Sequence, residues 1–275
     1  MKMSFLFLKR VRIFVVVIFF LIEILVPPGA QAYEVSARAA IFSNSTKVVR
    51  YYGKNVHTRV LPASTVKVMT ALLALERLPL KKVVRASKRA SLAQPSKIGV
   101  QPGEQFYVRD LIYAILLKSA NDAAVVLAEA VSGSEWEFVQ LMNKRARELG
   151  CKNTHFANPN GLPTKATQYT TPYDMYLIFR AALKQPFFKA TIRKKSHSIS
   201  SLTGRTFHLR SHNKILFFDW KNKLYGKTGY THGARSCFVG YVTKGNDICI
   251  IAVFGCSRRW EDIKYIVSHY GGIPL

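Results

Sequence analysis

The sequence predicts an α+β fold, α/β in the broad sense: an antiparallel sheet of about five strands from both chain ends, flanked by helices, with a mostly helical insert over about residues 78–185. Three observations carry this. Short strand-like runs lie at residues 37–52 and again at 207–255, helical periodicity dominates between them, and no internal repeat or low-complexity linker interrupts the chain. At 275 residues and 49% hydrophobic, the chain can bury one large core or two small ones.

The start has the pattern of an export signal. Lys2, Lys9, Arg10 and Arg12 precede an apolar run from Ile13 to Val26, and Ala30-Gln31-Ala32 supplies a small-x-small cleavage site. The run is interrupted by Glu23 and falls short of the roughly 20 residues that span a bilayer. The expectation is a signal peptide at 1–32, a catalytic domain at 33–275, and no β-rich C-terminal domain.

Residues 37–43 and 48–52 then read as a hairpin about Asn44-Ser45. Met69, Leu72, Leu73 and Leu75 recur at helical spacing through residues 66–76, which puts Ser64 at or near a helix start. Residues 108–117 and 123–131 are apolar helices. Ser134-x-x-Glu137 is a capping box that opens a third. Thr171-Pro172-x-Asp174 combines a cap, an N1 proline and an early carboxylate at the head of a fourth. Strand patterns return at residues 207–210, 224–230, 236–243 and 247–255, with Lys244-Gly245-Asn246 as a connecting turn, and residues 261–269 close the chain as a helix.

The formal charge is +26 and stays strongly positive without the first 32 residues. Such an imbalance favours anionic partners. The cations are dispersed, densest at Lys81-Lys82, Lys88-Arg89, Arg193-Lys194-Lys195 and Arg258-Arg259, and they compose no nucleic-acid module. With an export signal, the expected partner is an anionic membrane surface or wall polymer, not nucleic acid. Cys151, Cys237, Cys249 and Cys256 contain no Cys-x-x-Cys pair and are accompanied by no His-Glu-x-x-His, so no metal or other cofactor is expected. Buried free thiols are the expected state.

Three strings in order carry the chemistry: Ser64-Thr65-Val66-Lys67, Ser119-Ala120-Asn121 and Lys227-Thr228-Gly229. Singly they are weak, since Ser211-x-x-Lys214 and Ser211-x-Asn213 repeat the first two patterns. Those repeats overlap, so one serine would have to fill two roles, and Ser211 is set aside as nucleophile. Ser64 and Lys67, three apart on a helix, share a face. A serine hydroxyl attacks well only when a neighbouring base takes its proton, and Lys67 can act so if burial and a second cation, Lys227, lower its pKa. Ser119 could relay a proton to a leaving amine, while Asn121 could bind a substrate amide or hold Lys67. Lys227 and Thr228 would grip a carboxylate, and Gly229 would let a peptide approach the backbone closely.

With these motifs in order, the chain from Ala37 to about Gly271 resembles the D-alanyl-D-alanine carboxypeptidase family of low-molecular-mass penicillin-binding proteins. The runs Leu61 to Leu72 and Leu117 to Ala124, Met142-Asn143, Phe156 to Leu162, and Lys227 to Thr231 carry the likeness. The resemblance implies a fold of the serine β-lactamase and penicillin-binding-protein type. It implies an acyl-enzyme on Ser64, formed from the stem peptide of peptidoglycan or from a β-lactam acting as inhibitor. It also implies an oxyanion hole from the backbone N–H groups of Ser64 and Tyr230, and substrate binding by Arg259, with Arg258 competing for that place. A location in the periplasm or at the outer face of the cytoplasmic membrane follows.

Departures from the family pattern lie beside the third motif. Ala234-Arg235 stands where many members have Ala-Gly, and Leu224-Tyr225-Gly226 replaces Asp-Gly-x. Both border the expected substrate strand, so they bear on substrate preference. A D,D-endopeptidase cutting cross-links would use the same motifs and is the alternative. A class A β-lactamase is disfavoured, because no Glu-x-x-Leu-Asn lies between the second and third motifs. An idle envelope-binding protein is disfavoured by intact motifs.

Overall fold

A five-stranded antiparallel sheet in the spatial order β2-β1-β9-β8-β7 organises the molecule: β1 is Ala39–Asn44, β2 Val49–Lys54, β7 Tyr225–Thr231, β8 Arg235–Lys244 and β9 Asp247–Cys256. The computed structural model describes residues 33–275, so the expected signal segment lies outside the described residues. Residues 35–275 form one compact unit. The first strand pairs with the last, Ile41 opposite Ala252 and Phe42 opposite Ile251, which brings both ends of the sequence into one sheet.

Both faces of the central strands are buried, which is why β9 reads as an unbroken apolar run rather than an alternation. Ile250, Ala252 and Phe254 face the main core with Val239 and Tyr241. Helices α1 (Lys67–Arg77) and α6 (Pro172–Ala182) pack there, together with α4 (Asn121–Ser132). Ile251 and Val253 alternate onto the other face. The C-terminal α8 (Arg259–Tyr265) and the π-turn Ile266–Tyr270 cover that side, with Trp260 edge-on to Phe238 at 5.9 Å between ring centroids.

The insert holds α2 (Lys88–Ser91), α3 (Val108–Tyr113), α4, α5 (Glu135–Glu148) and α6. It is less purely helical than its composition suggests. A hairpin of β3 (Val83–Arg85) and β4 (Gln105–Tyr107) lies inside it, and α7 (Pro186–Thr191) follows it. The strand expected at residues 207–210 does not join the main sheet. It is β6 (Thr206–Arg210), paired only with β5 (Ser196–Ser200) in a separate two-stranded ribbon.

The caps form largely as the sequence implies. Thr171 accepts from Asp174 N, and Pro172 opens α6. Ser134 accepts from Glu137 N, but Glu137 turns its carboxylate to the Ser134 hydroxyl instead of the backbone N–H, so the capping box is half made. The helix expected at residues 108–117 runs as α3 into a π-turn, Ala114–Lys118, that ends at Ser119. All four cysteines are buried free thiols.

Candidate active site

Ser64 sits in a 3₁₀ turn, Ala63–Val66, that leads directly into α1. Ala63 enters it at φ 46°, a left-handed conformation that costs a non-glycine residue about 1–2 kcal/mol. The following segment is buried, which fixes where the hydroxyl points. Gly161 clasps this turn from outside: at φ 81° a Cβ there would lie 1.9 Å from the Ala63 carbonyl oxygen, so only glycine fits.

Lys67, the first residue of α1, is wholly buried and directs Nζ to three oxygens: Ser64 Oγ at 3.0 Å, Asn121 Oδ1 at 2.7 Å and the Asn160 carbonyl at 2.6 Å. Burial first, and the positive charge of Lys227 second, hold its pKa well below the usual lysine value, with Asp122 opposing them. A neutral amine has two hydrogens and one lone pair. Asn121 and Asn160 offer only acceptors to it, so they take the hydrogens and the lone pair is left for the Ser64 hydroxyl proton.

Two neighbours fix these partners. Asn121 Nδ2 donates to the Gln94 carbonyl at 2.8 Å, which sets the amide so that Oδ1 faces Lys67. The loop bearing Asn160 is pinned by Asn143, which donates Nδ2 to the Phe156 carbonyl and accepts from Phe156 N, and by Thr70 Oγ1 donating to the Pro159 carbonyl at 2.6 Å.

Ser119 reaches the site because the chain reverses where the π-turn meets α4. Its φ of 61° is again left-handed, a strained geometry of the kind that recurs at functional positions. Lys227 Nζ donates to Ser119 Oγ at 3.0 Å and to the Thr228 carbonyl at 2.7 Å. Burial and then Arg259 lower the Lys227 pKa to about 7. Gly229 on β7 lies against the nucleophile turn, where an added Cβ would stand 3.1 Å from Ser64 N.

Ser64, Ser119, Thr228, Gly229, Tyr230 and Arg259 line one cleft of about 280 Å³. All the sequence-predicted residues therefore either line this space or touch a residue that does. Of the two adjacent arginines, Arg259 is the one at the cleft, donating Nη1 to the carbonyls of Cys237 at 2.9 Å and Gly229 at 3.2 Å. Arg258 is exposed at the N-terminus of α8. The Ser211 repeat serves local turns: Ser211 Oγ accepts from Asn213 N, and Asn213 caps a short 3₁₀ turn and donates to the Leu224 carbonyl. The departures resolve into positions: Arg235 opens β8 at φ 56°, and Tyr225 packs on Tyr241 at 5.4 Å.

Sequence reasoning missed three participants. His212 and Ser96 also line the cleft. Burial, then Lys227, Lys118 and Lys67, drive the His212 pKa down to about 4, so its imidazole is neutral at pH 7. Its place inside the discarded Ser211 repeat hid it. Asp122 is fully buried and accepts from the backbone N–H groups of Ile98, Gly99 and Val100, tethering the loop that carries Gln94 and Ser96 to the head of α4. Among the described residues no group of His, Cys, Asp and Glu is arranged to hold a metal ion.

Comparison with known proteins identifies the family and the fold. The family model for D-alanyl-D-alanine carboxypeptidases matches residues 27–258. The Bacillus subtilis D-alanyl-D-alanine carboxypeptidase DacF is 38% identical over 257 residues, covering 89% of this chain and 65% of that protein. DacB2 of Mycobacterium tuberculosis is 35% identical, covering 73% of this chain and 68% of the relative, and Escherichia coli DacC is matched over only 58% of its length. The chain thus spans about two thirds or less of these relatives. Among solved structures, a D-alanyl-D-alanine carboxypeptidase from M. tuberculosis superposes with a TM-score of 0.80 at 31% identity, covering 90% of this chain and 95% of that one. The Streptomyces K15 DD-transpeptidase gives 0.81 at 26%, covering 89% and 100%. By the family match and by these relatives, the chain belongs to the D-alanyl-D-alanine carboxypeptidase family.

Proposed function

We propose that this protein is a serine-type D-alanyl-D-alanine carboxypeptidase that trims peptidoglycan stem peptides and is acylated by penicillin. The observation that carries the reading is the buried Lys67 amine, 3.0 Å from Ser64 Oγ, with its other hydrogen-bonding directions occupied. In the forward step Ser64 Oγ attacks the carbonyl carbon of the penultimate D-alanine and its proton passes to Lys67. The N–H groups of Ser64 and Tyr230 hold the oxyanion. The C–N bond breaks as the leaving amine gains a proton by way of Ser119, and D-alanine departs. Water then attacks the ester, giving the shortened peptide and restoring the hydroxyl. Lys227, Thr228 and Arg259 hold the terminal carboxylate: Thr228 and Arg259 line the cleft, and Lys227 borders it through its hydrogen bond to Ser119.

DacF, DacB2 and DacC are named as carboxypeptidases, which favours this reading over a cross-link endopeptidase. Work in the cell envelope after export fits the family and the N-terminal pattern, and the high positive charge suits an anionic membrane surface or wall polymer nearby. Among the described residues no helix is long and apolar enough to cross a membrane.

The test is labelling by a fluorescent penicillin together with D-alanine release from a pentapeptide. The wild-type protein is expected to take the label and release D-alanine, and Ser64→Ala to do neither. Equal labelling of Ser64→Ala, or separation of cross-linked dimers without D-alanine release, would overturn the assignment.

A further inference from the structure

The register of the main sheet brings three strand ends to one edge. Ala39 lies opposite Phe254 and Ser236 opposite Cys256, so the residue before β1, the end of β9 and the start of β8 lie side by side. Arg38 and Arg235 stand there. Arg59, on the loop that leads to the nucleophile turn, joins them in lining a hollow of about 330 Å³, at the small end of the ~300–1,000 Å³ typical of ligand sites. The rest of the lining is apolar or glycine and includes no carboxylate.

Three guanidinium groups in one concavity repel each other, and no acidic side chain of the lining offsets them. Arg59 is held in place, 4.3 Å over the Tyr169 ring and donating Nε and Nη2 to Asn153 Oδ1 at 3.4 and 3.2 Å. Among the described residues, the guanidinium groups of Arg38 and Arg235 have no hydrogen-bonding or ionic partner. The backbone favours the same spot. Arg235 keeps a φ of 56°, a left-handed geometry in which glycine would be unstrained. Gly255, at φ 70°, leaves room for Arg38, since a Cβ there would lie 2.8 Å from Arg38 Cβ. An arginine held at a strained position, adding charge to a cluster of like charge and pairing with nothing, does not serve the fold.

We propose that this hollow is an anion site, outside the catalytic cleft, in which Arg38, Arg59 and Arg235 grip one phosphodiester group of an anionic polymer chain. Guanidinium forks match phosphate oxygens two at a time. A concavity of this size admits one phosphate of a flexible chain, whereas a planar bilayer would have to bend into it. The formal charge of +26 draws polyanions to the protein, and the hollow supplies the point at which they are held. It lies beside the reactive machinery without belonging to it: Arg235 is opposite Thr231, two positions along β7 from Gly229. The inference goes beyond the peptidase reading and does not depend on acylation.

The experiment is titration calorimetry of the full protein with poly(glycerol phosphate) at physiological ionic strength, with penicillin labelling and melting temperature measured alongside. Arg38→Gln combined with Arg235→Gln is expected to weaken polymer binding at least tenfold. Lys81→Gln with Lys82→Gln removes the same charge from exposed residues elsewhere and should weaken it less than twofold. Arg235→Gly should weaken binding at least threefold yet melt at or above the wild-type temperature, because glycine suits the positive φ. Equal losses in the two double variants would reduce the effect to net charge and overturn the site. A lower melting temperature for Arg235→Gly would show that the arginine serves the fold, against the proposal. Phosphatidylglycerol vesicles that bind with the same dependence on Arg38 and Arg235, while the polymer does not bind, would make a membrane the occupant and overturn it too. Arginine-dependent polymer binding by protein that takes no penicillin label leaves the site standing and sinks the peptidase reading; normal labelling without such binding sinks the site alone.

Discussion

Lys67 and Asn160 are joined by a 2.6 Å hydrogen bond from a buried amine to a backbone carbonyl 93 positions along the chain. That bond, with the one to Asn121, takes up the hydrogens of a neutral amine and leaves its lone pair for Ser64, as the proposed reaction requires of a base. Lys67→Ala is therefore expected to keep its fold and lose about 10²–10⁴-fold in penicillin acylation rate, the usual contribution of a positioned base. Stopped-flow acylation checks this; a loss under threefold would show that another group takes the Ser64 proton.

Under the proposed reaction the two lysines are expected to give the acylation rate a bell-shaped pH profile. Lys67 must be neutral, and its lowered pKa brings the rising limb well below the range of ordinary lysines. Lys227 must be charged to hold a carboxylate, and its pKa of about 7 brings the falling limb near neutrality. Lys227→Arg, which keeps its charge, should shift the falling limb upward in kcat/KM against pH; an unmoved limb would assign it elsewhere.

Stability carries the same imprint. Lys227 binds its proton more weakly folded, with a pKa near 7, than unfolded, near 10.4, so between those values the unfolded chain holds more protons and stability rises with pH. The slope contributed is at most about 1.4 kcal/mol per pH unit. The cysteines act oppositely: burial raises their pKa values, for Cys151 to about 12 and for Cys237 to about 11, so stability falls with pH above the unfolded thiol value near 8.5. Melting temperature is thus expected to rise from pH 7 to about 8.5, and Lys227→Met to flatten that rise.

Asp122→Ala removes a buried carboxylate that accepts from three consecutive N–H groups. A loss of about 3–5 kcal/mol is expected in urea unfolding, because charged hydrogen bonds vanish and buried donors are orphaned. Acylation should slow as well, since Gln94 and Ser96 lose their tether; an unaltered rate would mean the loop is held by other contacts.

Gly161→Ala tests the clasp on the nucleophile. The added methyl cannot share space with the Ala63 carbonyl, and the positive φ disfavours any other residue, so the loop or the Ser64 turn must move. At least a tenfold loss in acylation rate is expected, with a destabilisation of about 1–3 kcal/mol.

Much of the sheet was legible because its central strands are apolar on both faces and bounded by turns, and the helices because Thr171, Pro172 and Asp174 state a boundary in three residues. The β3–β4 hairpin was not, since strands of three residues, Val83–Arg85 and Gln105–Tyr107, are too short to display a period. Nor was β5, where only Ile199 of Ser196–Ser200 is buried. At the site, side-chain motifs could be read, but the Asn160 and Gln94 carbonyls could not, because any residue supplies that atom. His212 and Asp122 act through positions that only tertiary proximity reveals, and Arg259 is separated from Arg258 only by where the last strand hands over to α8.

The pairing of β1 with β9 also bears on how the chain reaches its native state. Residue 39 must wait for residue 254 before its strand has a neighbour on the inner side, and β7 joins β1 only through β8 and β9. Contacts of such long sequence separation make loop closure a late and slow event. Without β9 the β1–β2 and β7–β8 hairpins would not belong to one sheet. The sheet that carries β7 is therefore closed onto β1 only when β9 takes its place between β8 and β1, which makes its assembly a late step of folding.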